Sequence, residues 1–500
     1  MSAKKYAPGL PEQALAQANA ARLKTALALH KQGQLKQAEV LYKQLLQSHP
    51  RHFDALQLLA TLAIQRHDCA AAVVLFDQSL SINPNQADVH NNRGVALAAL
   101  KQTAQALHSY EQALLLKPDH GDAHHNRGNA LRELKRPLEA LASYEQALKL
   151  LPDHVDAHNN YGIALVELQR PEEALRSHER ALQLQPGHAD AHYNRGNALC
   201  DLKRLAEALD SYNQALKIKP DHAHAHNNRG HVLRELKRPL QALASYEQAM
   251  LLQPRHADSH YNLGNAQREL QRFAPALESY DRALLLQPDH VDAHNNRGLA
   301  LSGLHRHEEA RQSYEKALSI EPGHADSHWN DSLCRLLMGD LSSGWQKYEW
   351  RWKTEPLIHC ARSFAQALWL GRENLRGKSI LLHAEQGLGD TIQFCRYTKN
   401  VAALGATVLL EVPAPLKLLL RSLDGVASLF GQGETLPDFD YHCPLMSLPL
   451  AFQDDSNTIS SVSYLHSTPE KRTAWRARVH QNKIDILPSL KEGDSYGATQ

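Results

Sequence analysis

The chain has 500 residues, in which 55 Lys and Arg side chains almost balance 54 Asp and Glu side chains, giving a formal net charge of +1. This balance excludes the basic excess of a typical nucleic-acid-binding protein and the acidic excess of a disordered tail, so we predict no nucleic-acid partner. The six cysteines are scattered without a CxxC pair, which argues against a disulfide framework or a zinc knuckle and favours reduced thiols.

The amino-terminal flank, residues 1–18, carries no recognisable targeting signal. It begins MSAKKYAPGL and continues as a polar stretch rich in Ala and Gln, without the apolar core of a secretory signal peptide. The sequence also has no run of about 18 apolar residues, which is the length that a membrane-spanning helix needs. We therefore predict a cytoplasmic protein without a membrane span.

A strict repeat begins after this flank. Prolines recur at intervals of 34 residues, at Pro50, Pro84, Pro118, Pro152, Pro186, Pro220, Pro254, Pro288 and Pro322. We divide residues 19–358 into ten units, the last of them degenerate, and number each unit so that this proline is position 32. Small residues recur at positions 8, 20 and 27, where Gly and Ala let two helices approach closely, and from the third unit onward Tyr recurs at position 24, with His178 as the exception.

The period and these positions resemble the tetratricopeptide-repeat family over about two thirds of the chain. The resemblance implies a mainly α fold in which helical hairpins stack into a solenoid superhelix with a concave inner groove. One unit cannot bury its apolar face alone, so stability comes from stacking between neighbours. Pro137 at the start of a predicted second helix fits this reading, because its missing N–H costs little there.

Position 6 is the most regular polar position of the repeat. From the third unit onward it is Asn92, Asn126, Asn160, Asn194, Asn228, Asn262, Asn296 and Asn330. Position 2 carries Asp88, Asp122, Asp156, Asp190, Asp258, Asp292 and Asp326, with His224 as the exception. Positions 2 and 6 share one helix face, and the first helix of each hairpin lines the concave side in the resembled family.

An asparagine amide can both donate to and accept from a peptide bond, so a row of them can hold an extended polypeptide by its backbone. The row is similar to the asparagine ladder of O-GlcNAc transferases, whose solenoid holds protein substrates in this way. We therefore predict a protein or peptide partner in the groove. The alternative is passive repetition, in which Asp in the first turn merely favours the helix dipole. Self-association of the solenoid is a further possibility that the sequence leaves open.

Histidines recur in pairs at position 34 and at position 4 of the next unit, as in His120 with His124. The i, i+4 spacing can bind zinc on a helix, but the local pattern has neither a third ligand nor an HExxH glutamate. We read these histidines as packing or first-turn residues and predict no metal site.

The tenth unit ends in the aromatic segment GWQKYEWRW, residues 344–352, which we predict to be a docking surface for a following domain, with a ligand-binding aromatic box as the alternative. A linker is expected at 359–377. Beyond it, strands are predicted at 379–383, 407–412 and 426–429, with a possible fourth at 439–442. Helices are predicted at 391–404 and 414–423. Such alternation favours a parallel, doubly wound sheet that binds ligands at the carboxyl ends of its strands.

The string HAEQGLGDTIQFCRY, residues 383–397, and the preceding aromatic segment resemble the heptosyltransferase-like glycosyltransferases of bacteria, which have the two-domain GT-B fold. The resemblance implies that 378–480 is the Rossmann-like first half of such an enzyme. It implies a substrate-binding loop formed by His383, Gln386, Gly387, Gly389 and Thr391, and it makes Asp390 the candidate general base. The alternative role of Asp390 is that of a helix cap.

The segment 481–500 reads as a divergent polar tail and shows no second strand–helix series. We therefore expect the donor-binding half of a GT-B enzyme to be missing, so that a nucleotide-sugar would be bound only if a complete domain were formed. Two functional hypotheses follow. The first is a protein-interaction scaffold with an incomplete glycosyltransferase domain, and the second is a glycosyltransferase, similar to the O-GlcNAc transferases, that modifies proteins held in the groove.

Overall fold

The computed structural model of the protein describes residues 12–359, 361–455, 458–459, 462–467 and 469–481. Most of the predicted amino-terminal flank and of the polar tail therefore lies outside the described residues. Helices occupy the chain from Glu12 to Tyr348, and a small parallel sheet follows, so the prediction of a mainly helical protein is confirmed. The chain divides into two compact units, residues 1–270 and 271–500.

The first unit consists of helices joined by short turns. They are α1 (Glu12–Lys31), α2 (Leu35–Ser48), α3 (Phe53–Gln65), α4 (Cys69–Ile82), α5 (Ala87–Ala99), α6 (Thr103–Leu116), α7 (Gly121–Glu133), α8 (Pro137–Leu150), α9 (Val155–Glu167), α10 (Pro171–Leu184), α11 (Ala189–Asp201), α12 (Leu205–Ile218), α13 (Ala223–Glu235), α14 (Pro239–Leu252) and α15 (Ala257–Glu269). The helix α1 begins before residue 19, where we expected the first repeat to start.

Odd-numbered helices are the first helices of their repeats, and even-numbered helices are the second. In this unit each first helix contacts the first helix of the next repeat, as α9 contacts α11. The first helices therefore form a closely packed row along one side of the unit.

The glycine at position 8 makes room for the aromatic residue at position 24 of the same hairpin. A Cβ atom built on Gly128 would lie 2.6 Å from Cε1 of Tyr144, and Tyr144 is fully buried. Gly162 has the same relation to His178, the residue that replaces the tyrosine in its hairpin. The two helices of a hairpin are thus packed so closely that a methyl group does not fit at this point.

The second unit begins with the helices α16 (Phe273–Leu286), α17 (Val291–Gly303), α18 (His307–Ile320), α19 (Ala325–Leu337) and α20 (Leu341–Tyr348), followed by a 3-10 helix (Glu349–Lys353) and α21 (Glu355–Ile358). The aromatic segment 344–352 packs against the sheet that follows, as predicted for a docking surface. The Trp345 ring meets the Phe394 ring edge-on at 5.7 Å between centroids, and Tyr348 is buried in the same core.

The sheet has five parallel strands, β1 (Ala367–Leu368), β2 (Ser379–His383), β3 (Thr407–Val412), β4 (Ser428–Gly431) and β5 (Tyr441–Pro444). Their order across the sheet is β1-β5-β2-β3-β4. In the register, Leu382 of β2 lies between Leu410 of β3 and Cys443 of β5, and all three are fully buried.

Short helices alternate with these strands. They are α22 (Leu388–Phe394), α23 (Thr398–Ala403), α24 (Lys417–Leu420) and α25 (Leu448–Ala451), with 3-10 helices at Cys395–Tyr397, Ala414–Leu416 and Leu445–Ser447. A last helix, α26 (Pro469–Gln481), follows, and its described side chains are exposed. The helix expected at 391–404 thus begins earlier, at Leu388, and is interrupted by a 3-10 turn.

The segment 359–377, predicted to be a linker, contributes to the sheet domain. Its strand β1 pairs with β5, and Trp369 is buried and donates a hydrogen bond from Nε1 to the carbonyl of Glu373 at 3.1 Å. The strand has only two residues, which is too short for an alternating pattern to show in the sequence.

Candidate functional site

The position-6 asparagines lie half-buried on the first helices, and they connect neighbouring repeats. In alternate repeats the amide nitrogen of this residue donates to the side-chain oxygen of an asparagine at position 5 of the preceding repeat. The pairs are Asn126 to Asn91 at 3.0 Å, Asn194 to Asn159 at 3.0 Å, Asn262 to Asn227 at 3.1 Å and Asn330 to Asn295 at 3.0 Å. We call this inter-repeat hydrogen bond the brace.

In the intervening repeats the brace uses different acceptors. Asn160 donates to Nε2 of His125 at 3.2 Å and to Oδ1 of Asn129 at 2.9 Å. Asn228 likewise donates to the hydroxyl of Tyr193 at 3.2 Å and to Oδ1 of Asn197 at 3.0 Å. Position 5 therefore supplies an acceptor in each case, whether that residue is Asn, His or Tyr.

Position 5, and position 9 as far as residue 299, alternate with a period of two repeats. Position 5 is Asn91, His125, Asn159, Tyr193, Asn227, Tyr261, Asn295 and Trp329, while position 9 is Val95, Asn129, Ile163, Asn197, His231, Asn265, Leu299 and Leu333. The sequence carries this 68-residue signal, but it is visible only when alternate repeats are compared. A sequence analysis that compares each repeat with the next, 34 residues on, does not reveal the alternation at either position.

In alternate repeats the brace leaves part of the position-6 amide available. Among the described residues nothing donates to Oδ1 of Asn126, Asn194 or Asn262, and each of these side chains is half-exposed. An amide has two N–H donors and an oxygen with two lone pairs, so one N–H and the whole oxygen can still bind a peptide group.

The position-2 aspartates form an exposed row one helical turn before the asparagines. The side chains of Asp88, Asp122, Asp156, Asp190, Asp258 and Asp292 are between 59% and 73% exposed. Most face the histidine at position 34 of their own repeat: Nε2 of His120 lies 3.0 Å from Asp88 and Nε2 of His188 lies 3.1 Å from Asp156.

The position-34 histidine also caps the next first helix. Nδ1 of His188 accepts the backbone N–H of Ala191 at 3.0 Å, so the proton of the neutral ring is on Nε2, facing the aspartate. The position-4 histidines have a separate role, because Nε2 of His158 donates to the carbonyl of Pro152 at 2.8 Å. Burial lowers the pKa of His158. No group of three or more His, Cys, Asp or Glu side chains in the described part of the chain is arranged to hold a metal ion.

The second candidate site is the loop after β2, residues 384–391. Here Oδ2 of Asp390 accepts the backbone N–H of Gly387 at 3.1 Å, and the hydroxyl of Thr391 donates to the carbonyl of Gly387 at 3.0 Å. Asp390 thus closes the first turn of α22, three residues after the capping residue Gly387. Gly389 lies in that turn, and a Cβ atom built on it would meet no other atom within 4 Å.

The other polar residues of this loop point to the aromatic segment. Nε2 of Gln386 donates to the Tyr348 hydroxyl at 3.1 Å, and Glu385 forms an ion pair with Arg351 at 3.0 Å. Arg351 is fully buried, and burial raises the pKa of Glu385 to about 7. These contacts fix the loop against the end of the helical region.

His383 lies at the end of β2 and turns towards β5. Its Nε2 is 3.3 Å from Nδ1 of His442, and burial lowers the pKa of His383 to about 3. In the part of the chain that the structure describes, no hydrogen bond joins His383 to Asp390. Hydrogen bonds therefore join Gly387, Asp390 and Thr391, whereas Gln386 bonds Tyr348 and His383 faces His442.

Four tetratricopeptide-repeat family models match the chain. They cover residues 29–96, residues 87–120, residues 119–187 with 221–289, and residues 162–223 with 261–325. Together they span 29–325, and none extends into the segment 378–480. The repeats predicted from the sequence are confirmed by these matches.

The chain is also similar to solved structures. One is YrrB, described as a tetratricopeptide-repeat protein with an unusual peptide-binding site, with 27% identity over 37% of this chain and 95% of that one and a TM-score of 0.32. Another is PilF of Pseudomonas aeruginosa, with 21% identity over 43% and 97% and a TM-score of 0.39. A third is a tetratricopeptide repeat protein from Parabacteroides merdae, with 17% identity over 50% and 98% and a TM-score of 0.41. No curated protein matches the chain significantly.

Proposed function

Over residues 29–325 this chain belongs to the tetratricopeptide-repeat family, and from that premise we propose that it is a protein-interaction scaffold that holds an extended polypeptide along its first helices. The observation that carries the proposal is the row of half-exposed position-6 asparagines, in which Asn126, Asn194 and Asn262 keep hydrogen-bonding groups beyond those that the brace uses. Among the described residues no helix combines the length and hydrophobicity that a membrane crossing requires.

The ligand chemistry follows from the groups in this row. Asn126 and Asn194 offer a carbonyl oxygen and one N–H, which match the N–H and C=O of an extended backbone whatever its side chains are. The exposed aspartates beside them, such as Asp122 and Asp156, favour a ligand with Lys or Arg. We therefore expect a basic, unfolded stretch of polypeptide to bind more tightly than an acidic one.

The brace gives the asparagines a purely structural role as well, so the experiment must separate the two roles. Replacing Asn194 and Asn262 by Ala removes both the brace and the groups that face the ligand. Replacing their acceptors, Asn159 and Asn227, by Ala removes the same two braces but keeps Asn194 and Asn262. The second variant is therefore the matched control for the first.

The probe is ribonuclease A that has been reduced and alkylated with iodoacetamide, a basic chain that stays unfolded. The loss of one hydrogen bond at each of the two asparagines, at about 0.5–1.5 kcal/mol per bond, corresponds to a loss of affinity of roughly fivefold to 150-fold. We expect Asn194→Ala/Asn262→Ala to show that loss and Asn159→Ala/Asn227→Ala to bind within about twofold of the unmodified protein. Equal losses in both variants would show that the asparagines only brace the repeats, and no binding by the unmodified chain would reject the scaffold function.

The alternative function is glycosyl transfer by the segment 378–480. One observation favours a ligand site there: the strand order reverses between β2 and β5, and in parallel sheets ligands bind at such a point, outside the carboxyl ends of the strands. The loop 384–391 lies at that end of β2. The assignment of Asp390 as a general base stays a prediction, since its carboxylate is engaged by Gly387 in the structure.

Two measurements separate the alternatives. Titration of nucleotide-sugars against the purified chain should show no binding if the segment serves only the scaffold, whereas micromolar binding would favour the enzyme. The substitution Asp390→Asn should leave binding of the unfolded ribonuclease unchanged, because Asp390 is remote in function from the asparagine row. A loss of ribonuclease binding in this variant would contradict the division of roles.

A further inference from the structure

The brace explains why position 5 needs a hydrogen-bond acceptor, but it does not explain why that acceptor alternates. Asn91, Asn159 and Asn227 supply it with a small amide. His125 and Tyr193 supply it with an aromatic ring, which adds apolar surface that the brace does not use. A second requirement therefore acts on alternate repeats.

The rings are held in place and remain half-exposed. The His125 ring packs on the ring of His154 with 4.6 Å between centroids, and the Tyr193 ring packs on His222 at 4.7 Å. Each ring thus rests on the histidine that caps the next first helix. A ring that is supported on one face and open on another can receive an apolar side chain of a ligand.

The amides alternate in the same way. Oδ1 of Asn160 and of Asn228 accepts from the neighbouring position-5 asparagine, at 3.4 and 3.5 Å, whereas nothing among the described residues donates to Oδ1 of Asn126 or Asn194. Each aromatic ring therefore lies in a repeat whose position-6 oxygen is open. Together, an open acceptor and an aromatic ring recur once in every two repeats.

Resting on the proposed function, we infer that the row of first helices reads a polypeptide in steps of two repeats and selects chains with an apolar side chain at about every sixth residue. Neighbouring first helices are in contact, and packed helices lie about 8–10 Å apart, so two repeats advance by roughly 20 Å. An extended chain rises about 3.3 Å per residue, which gives about six residues per step.

The test uses two basic synthetic peptides of equal composition and of about 24 residues, which is roughly the length that four such steps span. One carries Leu at every sixth position in a Ser, Thr and Lys background, and the other carries the same leucines at irregular spacing. We expect the regular peptide to bind about tenfold more tightly in fluorescence anisotropy. Equal affinities would overturn the two-repeat step while leaving the scaffold function intact, and no binding of either peptide would overturn both.

A variant links the preference to the rings. His125→Asn/Tyr193→Asn removes the rings but keeps an acceptor for the brace, because Asn already serves at position 5 in the intervening repeats. The control is Tyr161→Asn, at position 7, whose hydroxyl donates to Glu145 at 3.2 Å away from this row. We expect the first variant to bind both peptides equally and the control to keep the tenfold preference. A preference that survives in His125→Asn/Tyr193→Asn would overturn the inference.

Discussion

His178 is the one position-24 residue that departs from tyrosine in the complete repeats from residue 87 onward, and its replacement by Tyr should stabilise the protein in acid. The side chain is fully buried against Gly162, and neither ring nitrogen has a hydrogen-bond partner among the residues that the structure describes. Burial lowers the pKa of His178 to about 4. The neutral ring is tolerated in the fold, whereas the charged ring is not.

The size of the effect follows from linkage. The folded-state pKa of His178 lies below the value of about 6.5 for an unfolded chain, so the unfolded chain takes up a proton first as the pH falls. The contribution of the neutral ring to the free energy of unfolding is therefore fully present above pH 6.5 and is lost as the pH falls towards 4. At pH 5 the loss is about 2 kcal/mol relative to pH 7. Tyrosine does not titrate in this range, so His178→Tyr should gain about 2 kcal/mol over the unmodified protein between pH 7 and pH 5.

Urea denaturation followed by circular dichroism at pH 7 and at pH 5 measures this difference. The other histidines are the same in both proteins, so their effects cancel in the difference between the two free energies of unfolding. The mirror variant Tyr144→His places an unpartnered ring against Gly128 and loses the hydrogen bond from the Tyr144 hydroxyl to Asn129, at 2.7 Å, so it should be destabilised and should become more acid-sensitive. If His178→Tyr raised the free energy of unfolding by the same amount at both pH values, the reasoning would be refuted.

Two further substitutions test the packing. Gly128→Ala should lower the free energy of unfolding by about 2 kcal/mol, because the new methyl group would overlap the buried Tyr144 ring. Gly187→Ala should leave it unchanged, because a Cβ atom built there meets nothing within 4 Å. The midpoints of urea denaturation of the two variants give the comparison. Arg351→Met should cost about 3–5 kcal/mol by leaving Glu385 buried without its partner. Faster hydrogen exchange of the backbone amides in β2 and β3 would reveal that loss. The double variant Arg351→Met/Glu385→Met should restore part of the protection from exchange. Unchanged exchange in the single variant would contradict the role of the ion pair.

Much of the fold could be predicted because the repeat is strict. The 34-residue period gave the helical hairpins, and the strands β2 and β3 coincide with the ranges predicted from their apolar runs. The strand β1 was missed because two residues carry no periodicity. The loop after β2 was predicted as a substrate site, but the partners of Glu385 and Gln386 are Arg351 and Tyr348, which lie more than thirty residues away in the chain and leave no local signal.

The candidate site was only partly predictable for a related reason. Inspection of position 6 alone indicated a row of amides, and the structure adds that most of these amides also brace neighbouring repeats. That role depends on position 5 of the preceding repeat, 35 residues earlier, as for Asn126 and Asn91. A comparison of alternate repeats would have indicated the pairing, because position 5 alternates between Asn and an aromatic residue from one repeat to the next.

The most direct test of the central claim replaces peptide bonds of the ligand rather than residues of the protein. Esters are introduced in place of several backbone amides in the tightest-binding segment of the unfolded ribonuclease, which removes N–H donors and leaves every side chain unchanged. If the asparagine row holds the backbone, affinity should fall about tenfold or more, and Asn194→Ala/Asn262→Ala should lose less affinity than the unmodified protein when the amides are replaced by esters. An ester that binds the unmodified protein as tightly as the amide would contradict the account.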